Sequence, residues 1–336
     1  MPHADWPILQ PSVEAALPAA QPSGPVGRFF KPSVNHHEEP IRDDSVARLD
    51  GRFEKPSYGT PIARVADGSA AAVVVRQAFP AKDCRALVRR LIDDGLMYET
   101  GDPRIGERSL ANAVVGKYLG RGVNPDDSPR KRIDLGASLG NFGDDKDDFF
   151  RRSDEAHALF ERLFAGRPDP IAVLYDTLSR LCPGKRVMTA CEPDGRRYGP
   201  AIIRIHYGGF TYGPHFDSVR NRERRTGYAV HRFEQQLAGV LCIQNSTLDG
   251  ASAQGIIHRQ FWNEEIDGVL KAGRFHDYAA EHGIPSVRIE LEPGDLYFFN
   301  TGRIHEVPGV PGEQPRVVLA TFIGYSPDDA EVMVWS

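Results

Sequence analysis

The order of helical and strand-like segments limits the folds open to this chain more than any other feature. Before residue 199 the apolar residues recur at helical spacing, whereas after it short β-type runs follow one another between Gly, Pro, Asn and Asp residues. The runs read AIIRIHY, QLAGVLCIQ, QGIIHRQFW, VRIELE, LYFFN and RVVLATFIGY. Helices followed by strands predict an α+β chain, an antiparallel sandwich or jelly roll with supporting helices packed outside it.

Three helices should support this core from the N-terminal side. One is expected after Pro80, another from about Ser153, and a third at Asp169, where an N-cap residue precedes a proline. Residues 101–148 are rich in Gly and Asp and are interpreted as loop. Residues 264–282 are expected to form a helical insertion among the strands.

The first 70 residues differ from the rest of the chain. Prolines recur between Pro2 and Pro40, and no apolar periodicity accompanies them. The sequence therefore predicts a proline-rich N-terminal extension over residues 1–70. A single domain should follow over residues 71–336, with its jelly-roll core at about residues 200–326.

Charge and cysteine content argue against several classes of protein. The 41 Lys and Arg residues against 46 Asp and Glu residues give a net charge of −5, which disfavours nucleic acid or an anionic membrane as a partner. The four cysteines contain no CxxC pair, so neither a zinc ribbon nor a disulfide framework is expected. Neither a membrane-spanning stretch nor a secretory signal is visible, which favours a cytoplasmic location. The sequence leaves the oligomeric state open.

Three residues form the pattern that points to chemistry. His215 and Asp217 stand two positions apart, after the run AIIRIHY and a glycine-rich turn. His305 follows LEPGDLYFFN, in which Pro293 and Gly294 fit a type II turn between strands. Two imidazoles and one carboxylate on one side of a metal form the facial triad of non-haem Fe(II) oxygenases. We therefore expect His215, Asp217 and His305 to be the metal ligands and catalytic residues.

An arginine follows the last histidine at the start of a strand. Arg316 shares one face of this strand with Val318 and Ala320, and the other face is apolar too, so the guanidinium should be buried and need an anion. The triad leaves three metal positions for O₂ and a bidentate 2-oxo acid. If that acid is 2-oxoglutarate, its distal carboxylate would pair with Arg316.

Two further residues are candidates for cosubstrate binding. Arg204 alternates with apolar residues in the strand before the metal motif, and it either assists a carboxylate or carries an outward charge. Gln244 ends a strand expected beside the site, where its amide would contact 2-oxoglutarate or substrate. The basic run at residues 220–225 is interpreted as a solvated loop near the mouth of the site.

The ordered set His215-x-Asp217, His305 and Arg316 resembles the motif of the Fe(II)/2-oxoglutarate-dependent oxygenases over about residues 201–325. The resemblance implies a double-stranded β-helix (jelly-roll) core, with Fe(II), 2-oxoglutarate and O₂ as cofactor and cosubstrates. It also implies an oxygenase that hydroxylates, or alternatively desaturates, an unactivated C–H bond.

Two stretches near the distal histidine narrow this resemblance. ELEPGD and FIGYS resemble freestanding tailoring enzymes, which implies a small-molecule substrate, either a secondary metabolite or an amino-acid derivative. Some of those relatives are halogenases, in which Gly or Ala replaces the metal carboxylate. Because Asp217 occupies that position here, we expect hydroxylation.

Two other interpretations stay open. A cupin-like metal enzyme would work without 2-oxoglutarate, but cupins usually carry His-x-His, and Asp217 stands where the second histidine would be. A non-catalytic jelly-roll binding protein would not need the triad. Loss of activity without 2-oxoglutarate would distinguish the oxygenase from the cupin-like enzyme. Full function of an Asp217→Ala variant would favour the binding protein.

Overall fold

The computed structural model describes residues 6–11, 60–102, 132–142 and 145–336. Most helices precede the strand-rich part of the chain, and the last two form the expected insertion. The helices are Pro61–Ala66 (α1), Ala81–Asp93 (α2), Lys146–Phe164 (α3), Pro170–Leu181 (α4), Glu264–Lys271 (α5) and Phe275–Glu281 (α6).

Capping side chains decide where the supporting helices begin. Asp169 caps α4 by accepting hydrogen bonds from two backbone N–H groups at 2.8 and 3.3 Å, as the sequence predicts. Helix α3 begins at Lys146 and not near Ser153. The reason is that the Asp145 carboxylate accepts a hydrogen bond from the N–H of Asp148 at 3.0 Å, which starts the helix inside the acidic stretch.

The strands form two sheets and a short separate hairpin. They are Ile8–Leu9 (β1), Ala72–Val75 (β2), Arg132–Leu135 (β3), Arg186–Thr189 (β4), Ile202–His206 (β5), Tyr212–His215 (β6), Gln235–Gln244 (β7), Thr247–Leu248 (β8), Ala251–Ser252 (β9), Gly255–Phe261 (β10), Ser286–Ile289 (β11), Leu296–Asn300 (β12), Arg303–Val307 (β13), Arg316–Tyr325 (β14) and Glu331–Trp335 (β15).

Neighbouring strands in these sheets are distant in sequence. The larger sheet runs β1-β2-β12-β7-β14-β15-β4, with β5 paired to β14 and β3 paired to β5. The smaller sheet runs β11-β10-β13-β6, and β8 pairs with β9 alone. Such crossing antiparallel connections between two sheets are those of a jelly roll. With the helices, they confirm the expected α+β class and its jelly-roll core.

Strand β14 shows how both faces of the larger sheet are covered. Val317 and Leu319 belong to a buried cluster shared with helices α1 to α4. Val318 and Ala320 belong to a second cluster, which includes Ile257 of the smaller sheet. Alternation along one strand therefore divides the protein into a helix-side core and a space between the sheets.

The N-terminal segments only partly match the expected extension and loop. Most of residues 1–70 and residues 103–131 lie outside the described residues. Within the described part, β1 pairs in parallel with β2, and Ile62 and Val65 of α1 are fully buried. Strand β3 lies where loop was expected, and its alternating sequence RIDL pairs with β5. The domain boundaries stay predictions.

Candidate functional site

The two histidines of the motif lie on neighbouring strands of the smaller sheet. His215 is the last residue of β6, and His305 lies directly opposite it on β13. Their ring centroids are 4.2 Å apart. The sequence predicts both residues beside strands, whereas the structure places both within strands, and cross-strand pairing brings the two imidazoles together.

Backbone carbonyls set the orientation of both imidazoles. Nδ1 of His215 lies 2.7 Å from the carbonyl oxygen of Gly213, and Nδ1 of His305 lies 2.8 Å from that of Arg303. A carbonyl oxygen accepts only, so Nδ1 must carry the proton in each ring. In the neutral form of each ring the free lone pair is then on Nε2, and the two Nε2 atoms lie 3.7 Å and 3.6 Å from Oδ2 of Asp217. This is the tautomer that a metal ligand requires.

The loop after β6 is fixed so that Asp217 faces these nitrogens. The backbone N–H of Asp217 donates to the carbonyl oxygen of Thr301 at 2.9 Å, and the Thr301 hydroxyl lies 2.9 Å from the Asp217 carbonyl oxygen. Nη1 of Arg222 donates to Oδ1 of Asp217 at 2.8 Å. Arg222 thus binds the carboxylate oxygen that does not face the histidines, and Oδ2 is left toward the imidazoles.

The protonation states of these side chains favour a divalent cation. Burial, together with the neighbouring His305, lowers the pKa of His215 to about 4. Burial alone would raise the pKa of Asp217, but contact with His305 and the charges of His215 and Arg222 hold it well below the usual range. Neutral imidazole and ionised carboxylate therefore coexist at neutral pH, and these are the ligand forms that a metal binds.

Potential ligand atoms of His215, Asp217 and His305 all lie within 4.8 Å of one another. Two imidazole nitrogens and one carboxylate oxygen suit Fe(II), and grouping them on one side leaves coordination positions on the other. Within the described ranges, no other group of three or more His, Cys, Asp or Glu side chains meets this criterion. The donor set therefore fits the facial triad expected from the sequence.

A cleft of about 760 Å³, partly open to solvent, lies between the two sheets and includes the three residues. Arg316 begins β14 and lines this cleft, as expected, and the residue is only 8% exposed. In the part of the chain that the structure describes, no carboxylate forms an ion pair with it. A buried guanidinium without an anionic partner fits a ligand carboxylate such as the distal one of 2-oxoglutarate.

The two weaker candidates differ in their placement. Arg204 lines the cleft on β5, and its Nε is buried with no hydrogen-bond partner in the part of the chain that the structure describes. Gln244 does not line this cleft, and its Nε2 donates to the carbonyl oxygen of Pro315 at 2.9 Å. The cause is a β-bulge that pairs Gln244, and not Ile243, with Val317 on the helix side of the sheet. The expectation that Gln244 contacts cosubstrate is therefore corrected.

Two residues that shape the site could not be assigned from the sequence. Thr301 and Arg222 hold Asp217 in place, and the only sequence signal for either was the basic run that contains Arg222. His206, which alternates with apolar residues in the same strand as Arg204, and Tyr212, which precedes the metal motif, also line the cleft. Nε2 of His206 lies 3.1 Å from the phenol oxygen of Tyr212.

No helix in the described segments has the length and apolar character needed to cross a bilayer.

Comparisons with known proteins agree with this geometry. A family model described as the carrier-protein-independent halogenase WelO5 matches residues 274–336. A curated L-gamma-glutamyl-L-propargylglycine hydroxylase from Streptantibioticus cattleyicolor is 27% identical over 273 residues, which is 77% of this chain and 96% of the hydroxylase. The match to the halogenase family includes His305 and Arg316.

A solved structure supports the fold. An N-substituted L-amino acid dioxygenase from Burkholderia ambifaria AMMD, in complex with alpha-KG, aligns with a TM-score of 0.50 at 14% identity. The alignment covers 82% of this chain and 90% of the dioxygenase. Together these findings confirm the expected enzyme class and its requirement for Fe(II), 2-oxoglutarate and O₂. The chain is thus similar to members of the Fe(II)/2-oxoglutarate-dependent oxygenase superfamily in its fold, in its site and over its C-terminal segment.

Proposed function

We propose that this enzyme hydroxylates an unactivated C–H bond of a small amino-acid-derived molecule, with 2-oxoglutarate as cosubstrate. The observation that carries the proposal is the convergence of His215, Asp217 and His305 in the cleft that Arg316 also lines. The named activities of the relatives support it, because one is an amino-acid hydroxylase and another is an N-substituted amino-acid dioxygenase.

Each residue has a separate task in this proposal. Nε2 of His215, Nε2 of His305 and Oδ2 of Asp217 hold Fe(II), while Arg316 binds the distal carboxylate of 2-oxoglutarate. The bound iron, 2-oxoglutarate and O₂ supply the oxidising chemistry for the C–H bond. Apolar side chains keep the substrate end of the cleft poor in water. They are Ile202, Ala238, Val240, Ile257, Phe299 and Ala320.

Halogenation is the second candidate because of the match to a halogenase family. That match spans residues 274–336 and does not include Asp217. A halide needs the metal position that a carboxylate otherwise takes, and the Asp217 carboxylate points at both imidazoles and is ionised. Hydroxylation is therefore favoured over halogenation.

We infer that the enzyme acts in the cytoplasm on a small molecule, without a nucleic-acid or membrane partner, and the net charge of −5 supports this because such partners favour a basic surface.

Anaerobic reconstitution with Fe(II) and 2-oxoglutarate, followed by O₂, tests the proposed function. Succinate should form, and a panel of free and N-substituted L-amino acids should include at least one that gains an oxygen atom. The Arg316→Met variant should bind 2-oxoglutarate at least about 10-fold more weakly, since a charge-assisted pair is lost. Arg186→Met, at a 67% exposed side chain, is the matched control and should not change this affinity.

Other outcomes would contradict the proposal. Product formation without 2-oxoglutarate would favour the cupin-like alternative. An Asp217→Ala variant with full biological function would favour a binding protein. Wild-type protein that binds Fe(II) but releases no succinate with any tested compound would oppose an oxygenase acting on this substrate class.

A further inference from the structure

Strands β3, β5 and β14 place three arginines beside one another at one end of the cleft. In the first cross-strand row, His206 of β5 lies between Arg132 of β3 and Arg316 of β14. In the next row, Arg204 takes the central position between Asp134 and Val318. Directly opposed residues share a face of the sheet, so this face carries three guanidinium groups and one carboxylate.

Only one oxygen of the single carboxylate in this group is hydrogen-bonded, and Oδ1 of Asp134 is buried with no partner among the described residues. Oδ2 of Asp134 accepts a hydrogen bond from Nη2 of Arg132 at 2.7 Å, and Asp134 is buried. Arg132 also donates to the Tyr212 hydroxyl at 3.1 Å. Although Asp134 is the direct cross-strand neighbour of Arg204, no ion pair joins them in the described ranges. Arg132 and Asp134 therefore form a neutral pair, and Arg204 is left over.

His206 adds no charge to this end of the cleft. Burial first, and then the guanidinium groups of Arg316, Arg132 and Arg204, lower its pKa well below the usual range. His206 is therefore neutral at physiological pH, and all three arginines are close enough to act on it. Its Nε2 interacts with the Tyr212 hydroxyl. His206 therefore does not offset the positive charges of Arg204 and Arg316, which are left for a ligand to balance.

Charge balance shows how much of this excess the cosubstrate removes, on the basis of the proposed function. Fe(II) carries +2, Arg316 and Arg222 carry +1 each, the Asp217 and Glu306 carboxylates −1 each and 2-oxoglutarate −2, which sums to zero. Arg204 therefore keeps an unbalanced positive charge in a half-buried position, and its buried Nε has no hydrogen-bond partner among the described residues. A desolvated guanidinium of this kind is stabilised by an anion.

We propose that Arg204 binds a carboxylate of the substrate and thereby makes this enzyme selective for substrates that carry a free acid. Arg204 lies beside Ile202 and Val318, which line the same cleft. A matching substrate joins a carboxylate to an apolar part, with the apolar part on Ile202, Val318 and Ala320. An N-substituted or peptide-linked amino acid with a free carboxyl group has this character.

Binding of 2-oxoglutarate separates this role from cosubstrate binding without any turnover. We compare Arg204→Met, Arg316→Met and the exposed control Arg186→Met by anaerobic titration of the Fe(II)-loaded proteins. The 2-oxoglutarate affinity of Arg204→Met should stay within about threefold of wild type, while that of Arg316→Met falls at least about 10-fold. An equal loss in Arg204→Met and Arg316→Met would overturn the proposal, because Arg204 would then serve the cosubstrate.

A second experiment tests substrate selectivity. N-acetyl and γ-glutamyl L-amino acids are compared with their methyl esters for stimulation of succinate formation. Wild type should prefer acids at least about 10-fold, since esters lose the charged partner. Arg204→Met should lose this preference, and Arg204→Lys should regain part of it.

Two results of the acid–ester comparison oppose the proposal. One is equal stimulation of succinate formation by acids and esters in the wild-type enzyme. The other is an Arg204→Met variant that keeps the wild-type preference for acids. The first does not depend on whether the variant folds. Failure of the proposed function is a different result, in which neither acids nor esters stimulate succinate formation in wild type, and this inference would then fall with it.

Discussion

His215 and His305 lie directly opposite each other on β6 and β13, and each turns Nε2 toward the same oxygen of Asp217. The proton on each Nδ1 is assigned by a backbone carbonyl, so neither ring has to reorient to bind a metal. The arrangement costs little conformational entropy on metal binding, because strand pairing has already fixed both rings.

Removal of the Asp217 charge should weaken metal binding much more than it lowers the stability of the fold. Asp217→Asn keeps the shape of the side chain but removes an ionised ligand, so we expect Fe(II) affinity and succinate formation to fall at least about 100-fold. Equilibrium titration with Fe(II) under anaerobic conditions measures the affinity. Asp147→Asn, at a 96% exposed side chain, serves as the control. Unchanged affinity in Asp217→Asn would refute its role as a ligand.

The Thr301 hydroxyl should affect metal binding because it contacts the backbone of Asp217. It lies 2.9 Å from the Asp217 carbonyl oxygen and 3.0 Å from that of Gln236. Thr301→Val removes the hydroxyl beside the Asp217 carbonyl oxygen, while the Gln236 carbonyl oxygen still accepts from the backbone N–H of residue 301. Fe(II) affinity should therefore fall about 10- to 100-fold. Thr301→Ser keeps the hydroxyl and should retain most of the affinity. Equal losses in both variants would show that packing, and not the hydroxyl, is responsible.

The depressed pKa of His206 predicts a loss of stability in acid. The unfolded chain takes up a proton near pH 6.5, whereas the folded site resists it, so the stability is complete above that pH and falls below it. Each unit of pH below about 6 should lower the free energy of unfolding by up to about 1.4 kcal/mol from this group. Urea unfolding of the metal-free protein between pH 5 and pH 7.5 measures the slope.

A substitution of His206 isolates its share of the pH dependence. His206→Gln should have a shallower slope than wild type, with a residual slope because burial also lowers the pKa values of His157 and His215. An unchanged slope in His206→Gln would contradict the assignment.

Gly294, in the turn before β12, should not tolerate a side chain. Its φ is +102°, and a Cβ there would lie 2.1 Å from the carbonyl oxygen of Phe79. Gly294→Ala should therefore destabilise the protein by at least about 2 kcal/mol. Gly268→Ala is the matched control, because Gly268 lies on an exposed helix face with open space around it. Thermal unfolding compares the two, and equal stabilities would contradict the prediction.

The corrected position of Gln244 has its own test. Because its amide lies on the helix side of β7 and bonds to Pro315, Gln244→Ala should change 2-oxoglutarate affinity by no more than about threefold. Isothermal titration alongside Arg316→Met provides the scale. A loss in Gln244→Ala comparable to that in Arg316→Met would restore the original expectation.

The sequence predicted the long strands well because their composition is strongly β-type. β7 and β14 are apolar on both faces and could be identified without knowledge of their partners. β6 and β13 were missed because YGPH and RIHEV are short and interrupted by Gly and Pro or by charge. Pairing with neighbours, which a single-sequence pattern does not contain, makes them strands.

The candidate site divides in the same way. The spacing of His215, Asp217 and His305, with Arg316 after them, was readable because each residue type has few other uses in that order. The contacts of Thr301 and Arg222 with Asp217 depend on tertiary placement. For Gln244, one extra residue in a β-bulge moves the side chain to the opposite face of the sheet, and the local sequence does not indicate this bulge.

The residue that orients His305 through its carbonyl, Arg303, also ties the catalytic strand to the start of the chain. Its buried guanidinium lies between the rings of Trp6 and Phe261, at 4.9 and 3.9 Å from their centroids. Trp6 and Arg303 both donate to the Gly68 carbonyl oxygen. Cleavage of the chain just after Trp6 would thus expose this cation behind His305, one of the proposed iron ligands, so an N-terminally trimmed enzyme should hold iron less tightly.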